Sequence, residues 1–141
     1  MMFGLFKKNT RQIGFSGEDK ACSFLEEKGY TVLERNYTYL KGEIDIIAID
    51  EDSLVFVEVK TRDGKSNFEK YGYPRDAVNR DKQRMIIATA KEYIRKNKTG
   101  KIPRFDVIEV YNFNENGKER NEFLHIENAF DLNTAGLRGR R

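Results

Sequence analysis

Two apolar runs, each broken by charge and joined by a short polar stretch, constrain this chain more than anything else in it. The first is Gly42-Glu43-Ile44-Asp45-Ile46-Ile47-Ala48 and the second contains Val57-Glu58-Val59-Lys60. The stretch from Asp50 to Ser53 lets them fold back as an antiparallel hairpin. With Ile49 opposite Leu54 as the first pair, counting back along both strands sets Asp45 opposite Glu58 and Glu43 opposite Lys60. Strand side chains alternate faces, so Asp45 and Glu58 are expected on the same face. Two facing carboxylates repel and weaken a sheet. A divalent cation between them removes that penalty, and Mg²⁺ binds through one or two carboxylates while keeping waters for chemistry.

The rest of the chain supplies a frame for that hairpin. Ser16-Gly17-Glu18-Asp19 reads as a helix start, with Ser16 as N-cap and Asp19 three residues on. Ala21, Phe24 and Leu25 follow at helical spacing, and Gly29 ends the helix. A short strand is expected at 31–35, a connection at 36–41, and the hairpin strands at 42–50 and 53–61. Asp63 to Pro74 is polar and carries Gly64, Gly72 and Pro74, the composition of a long loop that covers a site. Arg75 to Asn97 reads as the longest helix, with Val78, Met85, Ile86, Ala90, Tyr93 and Ile94 forming its apolar stripe. Strands follow at 105–111 and 122–127 around an Asn114-Glu115-Asn116-Gly117 turn. The order is a layered α/β fold: a mixed central sheet with one helix on each side.

At 141 residues the chain suits a single domain, expected at 14–130 between a basic leader (1–13) and a basic tail (131–141). The net charge is only +3, but Lys7, Lys8 and Arg11, the group Arg75, Arg80, Lys82 and Arg84, and Arg138, Arg140 and Arg141 concentrate it. Such clusters suit a polyanion, although solvated charge is the commoner explanation of any one run. One cysteine, Cys22, allows no intrachain disulfide, which fits a reducing compartment, and it reads as a packing residue. No apolar run is long enough to span a membrane, and the apolar start precedes its lysines, the wrong order for a signal peptide. A cytoplasmic protein is expected.

Asp45, Glu58, Val59 and Lys60 together carry the chemistry. Asp45 and Glu58 would hold Mg²⁺ or Mn²⁺, and the backbone carbonyl of Val59 can reach the same ion. Lys60 returns to the acid face about 7 Å from Glu58 by strand rise, where its ammonium can orient a water or stabilise charge on a phosphate. Glu18 offers a third carboxylate, as ligand or through a water; alternatively it only complements the helix dipole. Lys82 and Arg84 are candidates for phosphate contact, with a solvated helix face as the alternative. Asp106 is expected to pair with Arg104. His125, the single histidine, has no Cys or His partner in sequence, which argues against zinc and against a Ser-His-Asp triad. Gly14 and Gly17 do not form a P-loop, since no Gly-Lys-Ser/Thr follows them.

Several motifs in order then point to a family. Gly17-Glu18-x-x-Ala21, Leu33-x-x-Asn36, Gly42-Glu43-Ile44-Asp45-Ile46-Ile47-Ala48, Val55-Phe56-Val57-Glu58-Val59-Lys60-x-Arg62, Val78-x-x-x-Lys82 and Arg104-Phe105-Asp106-Val107 resemble the YraN-like family of small bacterial proteins. That family looks like the restriction-endonuclease-like superfamily and is similar to archaeal Holliday junction resolvases. The resemblance implies an αβββαβ core, a Mg²⁺-type site and a nucleic-acid substrate, with Glu18, Asp45, Glu58 and Lys60 at the active-site positions. Ile44 stands where the superfamily often has proline before the aspartate. Resolvases work as dimers on symmetric junctions, so a homodimer is a further expectation from the resemblance. The function expected is a metal-dependent nuclease acting on DNA, with branched DNA as a candidate substrate. Its rivals are a non-catalytic module binding nucleic acid or protein, and a partner protein whose acids serve only the fold.

Overall fold

The computed structural model describes residues 16–65 and 78–131. The expected leader at 1–13, most of the tail at 131–141 and most of the covering loop at 63–74 lie outside these residues. Helix α1 (Gly17–Glu27) opens with the expected capping box: the Ser16 hydroxyl accepts from the Asp19 N–H, and Asp19 accepts from the Ser16 N–H. Strands β1 (Thr31–Tyr39), β2 (Gly42–Ile49) and β3 (Ser53–Asp63) follow, then α2 (Arg80–Lys96), β4 (Ile102–Glu115) and β5 (Lys118–Phe130).

The sheet order is β1-β2-β3-β4-β5, antiparallel throughout except for parallel β3 and β4. The parallel step is the one that α2 bridges, as a crossover requires. Ala21, Cys22 and Leu25 of α1 pack on Ile46, Ala48, Val55, Val57, Ile108 and Val110. Ile86, Ile87, Ala90 and Tyr93 of α2 pack on Ile44, Ile47, Phe56, Phe105 and Val107. One helix therefore covers each face, consistent with an αβββαβ endonuclease-like core followed by one more strand. Burial pushes the Cys22 thiol up to about 11, as befits a packing residue.

Three elements differ from the sequence-based expectation. β1 runs on to Tyr39 through residues expected to be a connection, because Asn36 adopts a left-handed backbone (φ 53°) that lets the strand bend and continue. α2 is described from Arg80, where the Asn79 side chain caps the Lys82 N–H at 2.8 Å. β4 and β5 are each longer than expected, joined by an Asn116-Gly117 turn with both φ values positive (53° and 76°). That turn type matches strand twist and lets pairing run to the hairpin tip.

Gly17 and Gly42 set how closely the helices approach the sheet. A Cβ on Gly17 would overlap the Thr61 hydroxyl of β3, and one on Gly42 would overlap the Thr89 hydroxyl and lie 3.1 Å from the Met85 carbonyl of α2. The first turn of α1 is thus flush against β3, and the start of β2 is flush against α2. Among the described residues no helix is long and apolar enough to cross a membrane.

Candidate functional site

The hairpin register is the expected one. Ile49 pairs with Leu54, and Ala48, Ile47 and Ile46 pair with Val55, Phe56 and Val57. The ladder then stops one step short of Asp45 and Glu58. In place of the next rung, the Asp45 Oδ2 accepts a hydrogen bond from the Val59 N–H at 2.8 Å. The N–H and C=O of one strand residue point to the same neighbouring strand, so the Val59 carbonyl also faces the β2 side. Beyond this point β3 continues alone with β4, from Glu58↔Val107 to Asp63↔Asn112. Glu43 and Lys60 are not ladder partners: the splay that frees Asp45 separates them.

Glu58 is buried, with 6% of its surface exposed. Its Oε2 is approached by two ammonium groups, Lys60 at 3.4 Å and Lys82 at 3.3 Å. Lys60 is the expected neighbour two residues along the strand. Lys82 reaches the same oxygen from the first turn of α2, so it belongs to the acid site and not only to a solvated helix face. Arg84 does not join them. It pairs with exposed Asp81 on its own helix at 3.0 Å.

Asp45 has less compensation. Burial and then the nearby Glu58 charge push its carboxyl up to about 7, against the pull of the Val59 N–H; the Glu18 and Glu43 charges push in the same direction as Glu58. Its charged form is thus less favoured here than that of an exposed aspartate.

Glu18 lies near enough to influence Asp45 electrostatically, but its carboxylate is tied elsewhere. Its Oε1 accepts from Arg35 Nε (3.2 Å), Arg35 Nη2 (2.9 Å) and Asn36 Nδ2 (2.9 Å). Among the described residues no group of three His, Cys, Asp or Glu side chains is gathered closely enough to hold a metal. Glu18, expected as a ligand or through a water, is thus held through one oxygen by Arg35 and Asn36. Asn36 and Arg35 were not singled out as site residues from the sequence. An asparagine inside a β-branched and aromatic strand is the available signal, since Asn is depleted in strands and tolerates left-handed backbone.

The neighbouring oxygens on this edge are the Asp45 carboxylate, the Glu58 carboxylate whose charge it feels, and the Val59 carbonyl on the β2 side. These are hard oxygen ligands, suited to Mg²⁺ or Mn²⁺ and not to zinc. Asp45 Oδ1 and Glu58 Oε1 accept no hydrogen bond from the described residues, so each acid has an oxygen to offer.

Farther along the same face of β3 and β4, Glu109 is buried at 2% exposure in register with Lys60. It accepts from Arg62 Nη2 at 3.2 Å and from the Tyr111 hydroxyl at 2.6 Å. Burial and then Glu109 push the Tyr111 phenol up to about 12.

A second charged cluster is built differently. Asp106, fully buried, does pair with Arg104, at 2.9 Å. It also accepts from His125 Nε2 (2.8 Å) and the Asn128 N–H (3.1 Å). Lys28 Nζ lies 2.7 Å from His125 Nδ1. An ammonium has no lone pair, so Nδ1 accepts and the ring proton sits on Nε2, facing Asp106. Arg104 reaches on to Asp50 (3.2 Å) and the Tyr30 hydroxyl (2.6 Å). The histidine is thus a member of a hydrogen-bonded network with Asp106 and Lys28.

The comparisons with known proteins agree on one family. The model of uncharacterised protein family UPF0102 matches residues 17–110, from the first turn of α1 to the middle of β4. A UPF0102 protein of Clostridioides difficile is 46% identical over 123 residues, covering 86% of this chain and 99% of its own. One of Clostridium perfringens is 44% identical over 119 residues (84% and 94%), and one of Persephonella marina 43% over 120 residues (84% and 93%). The matched span takes in Glu18, Asn36, Asp45, Glu58, Lys60 and Lys82. The chain belongs to the uncharacterised protein family UPF0102.

Proposed function

We propose that this protein is a metal-dependent nuclease that hydrolyses DNA phosphodiester bonds, with Asp45, Glu58 and the Val59 carbonyl as the ligands of Mg²⁺ or Mn²⁺. The observation that carries the reading is the Asp45 carboxylate, turned out of the β2–β3 ladder beside buried Glu58 and held near neutrality in its proton affinity. A sheet that served only stability would not keep such a pair facing each other. When bound, the cation supplies Lewis-acid polarisation of the phosphoryl oxygen and a more acidic water.

The chain's own groups do the rest. Asp45 and Glu58 fix the cation's place relative to β3. Lys60 lies beside Glu58, where its ammonium holds the attacking water or faces the charge that builds on the phosphate. Lys82 brings a second cation from α2 to the same carboxylate and offers it to the phosphate backbone. Arg84, two residues beyond Lys82 on the same helix and paired with Asp81, is suited to backbone contact outside the reacting position. Glu18 acts through a water, given its commitment to Arg35 and Asn36.

The rival reading, a non-catalytic binding module, draws on one specific observation: Lys60 and Lys82 already neutralise Glu58 without a metal. Cleavage assays on branched and linear DNA with Mg²⁺ or Mn²⁺ separate the two. Asp45→Asn and Lys60→Ala are each expected to lower the rate by about 10²-fold or more, and Asp45→Asn also to abolish calorimetric Mn²⁺ binding. Cleavage that survives both substitutions overturns the nuclease reading; salt-dependent DNA binding with neither metal binding nor cleavage favours the module.

A further inference from the structure

Among the described residues, Asn36 is where a left-handed backbone and the acid site coincide. The β1–β2 ladder pairs Arg35 with Ile46 and Tyr37 with Ile44, but the pair between them, Asn36 and Asp45, is skipped. The faces exchange at the same place. Ile47 and Ile44 both pack toward α2, whereas Ile46 packs toward α1. Strict alternation would set Ile44 and Ile46 together. Both strands therefore turn over at this pair while the register on either side is kept.

The device that permits this is the left-handed backbone of Asn36, at φ 53°. A non-glycine residue there is disfavoured by about 1–2 kcal/mol, and asparagine is among the few that visit the region, because its amide bonds locally. In this chain the amide's partner is Glu18: Nδ2 donates to Oε1 at 2.9 Å. Both Arg35 contacts to Glu18 fall on the same oxygen, and Arg35 is itself anchored to Asp19 at 2.7 Å. Among the described residues no donor reaches Oε2.

We propose that Asn36 is a positioning residue of the acid site: its backbone turns Asp45 out of the β1–β2 ladder, and its amide pins Oε1 of Glu18 so that Oε2 is left to the site. One residue thus sets two carboxylates, from α1 and from β2, relative to each other. The inference deepens the nuclease reading and rests on it for the identity of the cation.

The test uses Asn36→Gly, which keeps the left-handed backbone and removes only the amide. Mn²⁺ binding is measured by calorimetry on the full chain for wild type, Asn36→Gly, Glu18→Gln and the double variant, with thermal melts alongside. Groups that orient metal-ligand acids contribute about 10–100-fold in affinity, so Asn36→Gly is expected to bind Mn²⁺ about ten-fold or more weakly while melting close to wild type. Adding Glu18→Gln to Asn36→Gly is expected to lower affinity much less than Glu18→Gln does alone. Wild-type affinity in Asn36→Gly, or two losses that simply add, overturns the proposal. A wild type that binds no Mn²⁺ counts against the nuclease reading instead, and a metal-free crystal structure of Asn36→Gly then decides the positioning role. A Glu18 carboxylate that swings away sustains it; one that stays in place overturns it.

Discussion

Asp45 and Asp106 are both carboxylates drawn into the interior of one sheet, and the protein treats them oppositely. Asp106 is fully buried; burial opposes its ionisation, yet hydrogen bonds from His125, Arg104 and the Asn128 N–H outweigh that and hold its carboxyl below the usual range. Asp45 is less buried but receives one backbone donor and faces Glu58, and its carboxyl rises to about 7. Depth of burial therefore says little about what a buried acid is for. The number of donors aimed at it decides: a saturated carboxylate is a tie between elements, and an under-compensated one keeps a raised proton affinity.

The comparison breaks most readily at its saturated end. Asp106→Ala leaves Arg104 and His125 buried without their shared acceptor, and removing one member of such a pair destabilises by about 3–5 kcal/mol. Urea denaturation at pH 7 is expected to show a loss of that size, and a loss under about 1 kcal/mol would mean that Asp106 is no more essential to the fold than a surface acid.

The under-compensated end predicts the opposite sign. The Asp45 carboxyl has a higher proton affinity folded than unfolded, where the ordinary value is 3.8. The folded state therefore holds an extra proton between about pH 4 and 7. Its contribution to stability is present below that window and is lost as pH rises through 7. In chelator and without divalent metal, Asp45→Asn is expected to be more stable than wild type at pH 8, by on the order of 1–2 kcal/mol once partial exposure is discounted, and equal to it near pH 4. Melts at the two pH values check this; a variant less stable at pH 8 would place Asp45 with Asp106 among the structural acids.

The smallest effect is expected at Lys82→Ala. Its ammonium is partly exposed, so the pair with Glu58 contributes at most about 1 kcal/mol. A loss beyond about 2 kcal/mol by denaturation would show that the acid site is as tightly compensated as the Asp106 network.

What could be read from the sequence was whatever depends on neighbours along the chain. The β2–β3 register followed from Ile49 and Leu54 flanking a short turn, because a one-residue slip would turn every isoleucine of β2 to the wrong face. The Ser16–Asp19 capping box was equally local. Lys82 was legible as a basic helix residue but not as a partner of Glu58, since its reach depends on where the crossover sets α2. Around Asp106 only Arg104, two residues away, was foreseeable; His125 and Asn128 of β5, Tyr30 and Asp50 arrive from three separate places in the chain. Asn36 reads from the sequence as part of a connection, because a strand that continues through a left-handed residue carries no periodic signature.

The seating of Gly17 on Thr61 has a consequence for how this protein tolerates change. The spacing between α1, which carries Glu18, and β3, which carries Glu58 and Lys60, is set where a side chain is absent. Thr61 is β-branched and has few rotamers with which to yield. Even a methyl group at position 17 forces the helix or the strand aside and moves the acids apart with every charge intact. A survey of variants that weighed only ionisable residues would pass over the position, yet a side chain there disturbs the approach of α1 to β3 without any change in charge.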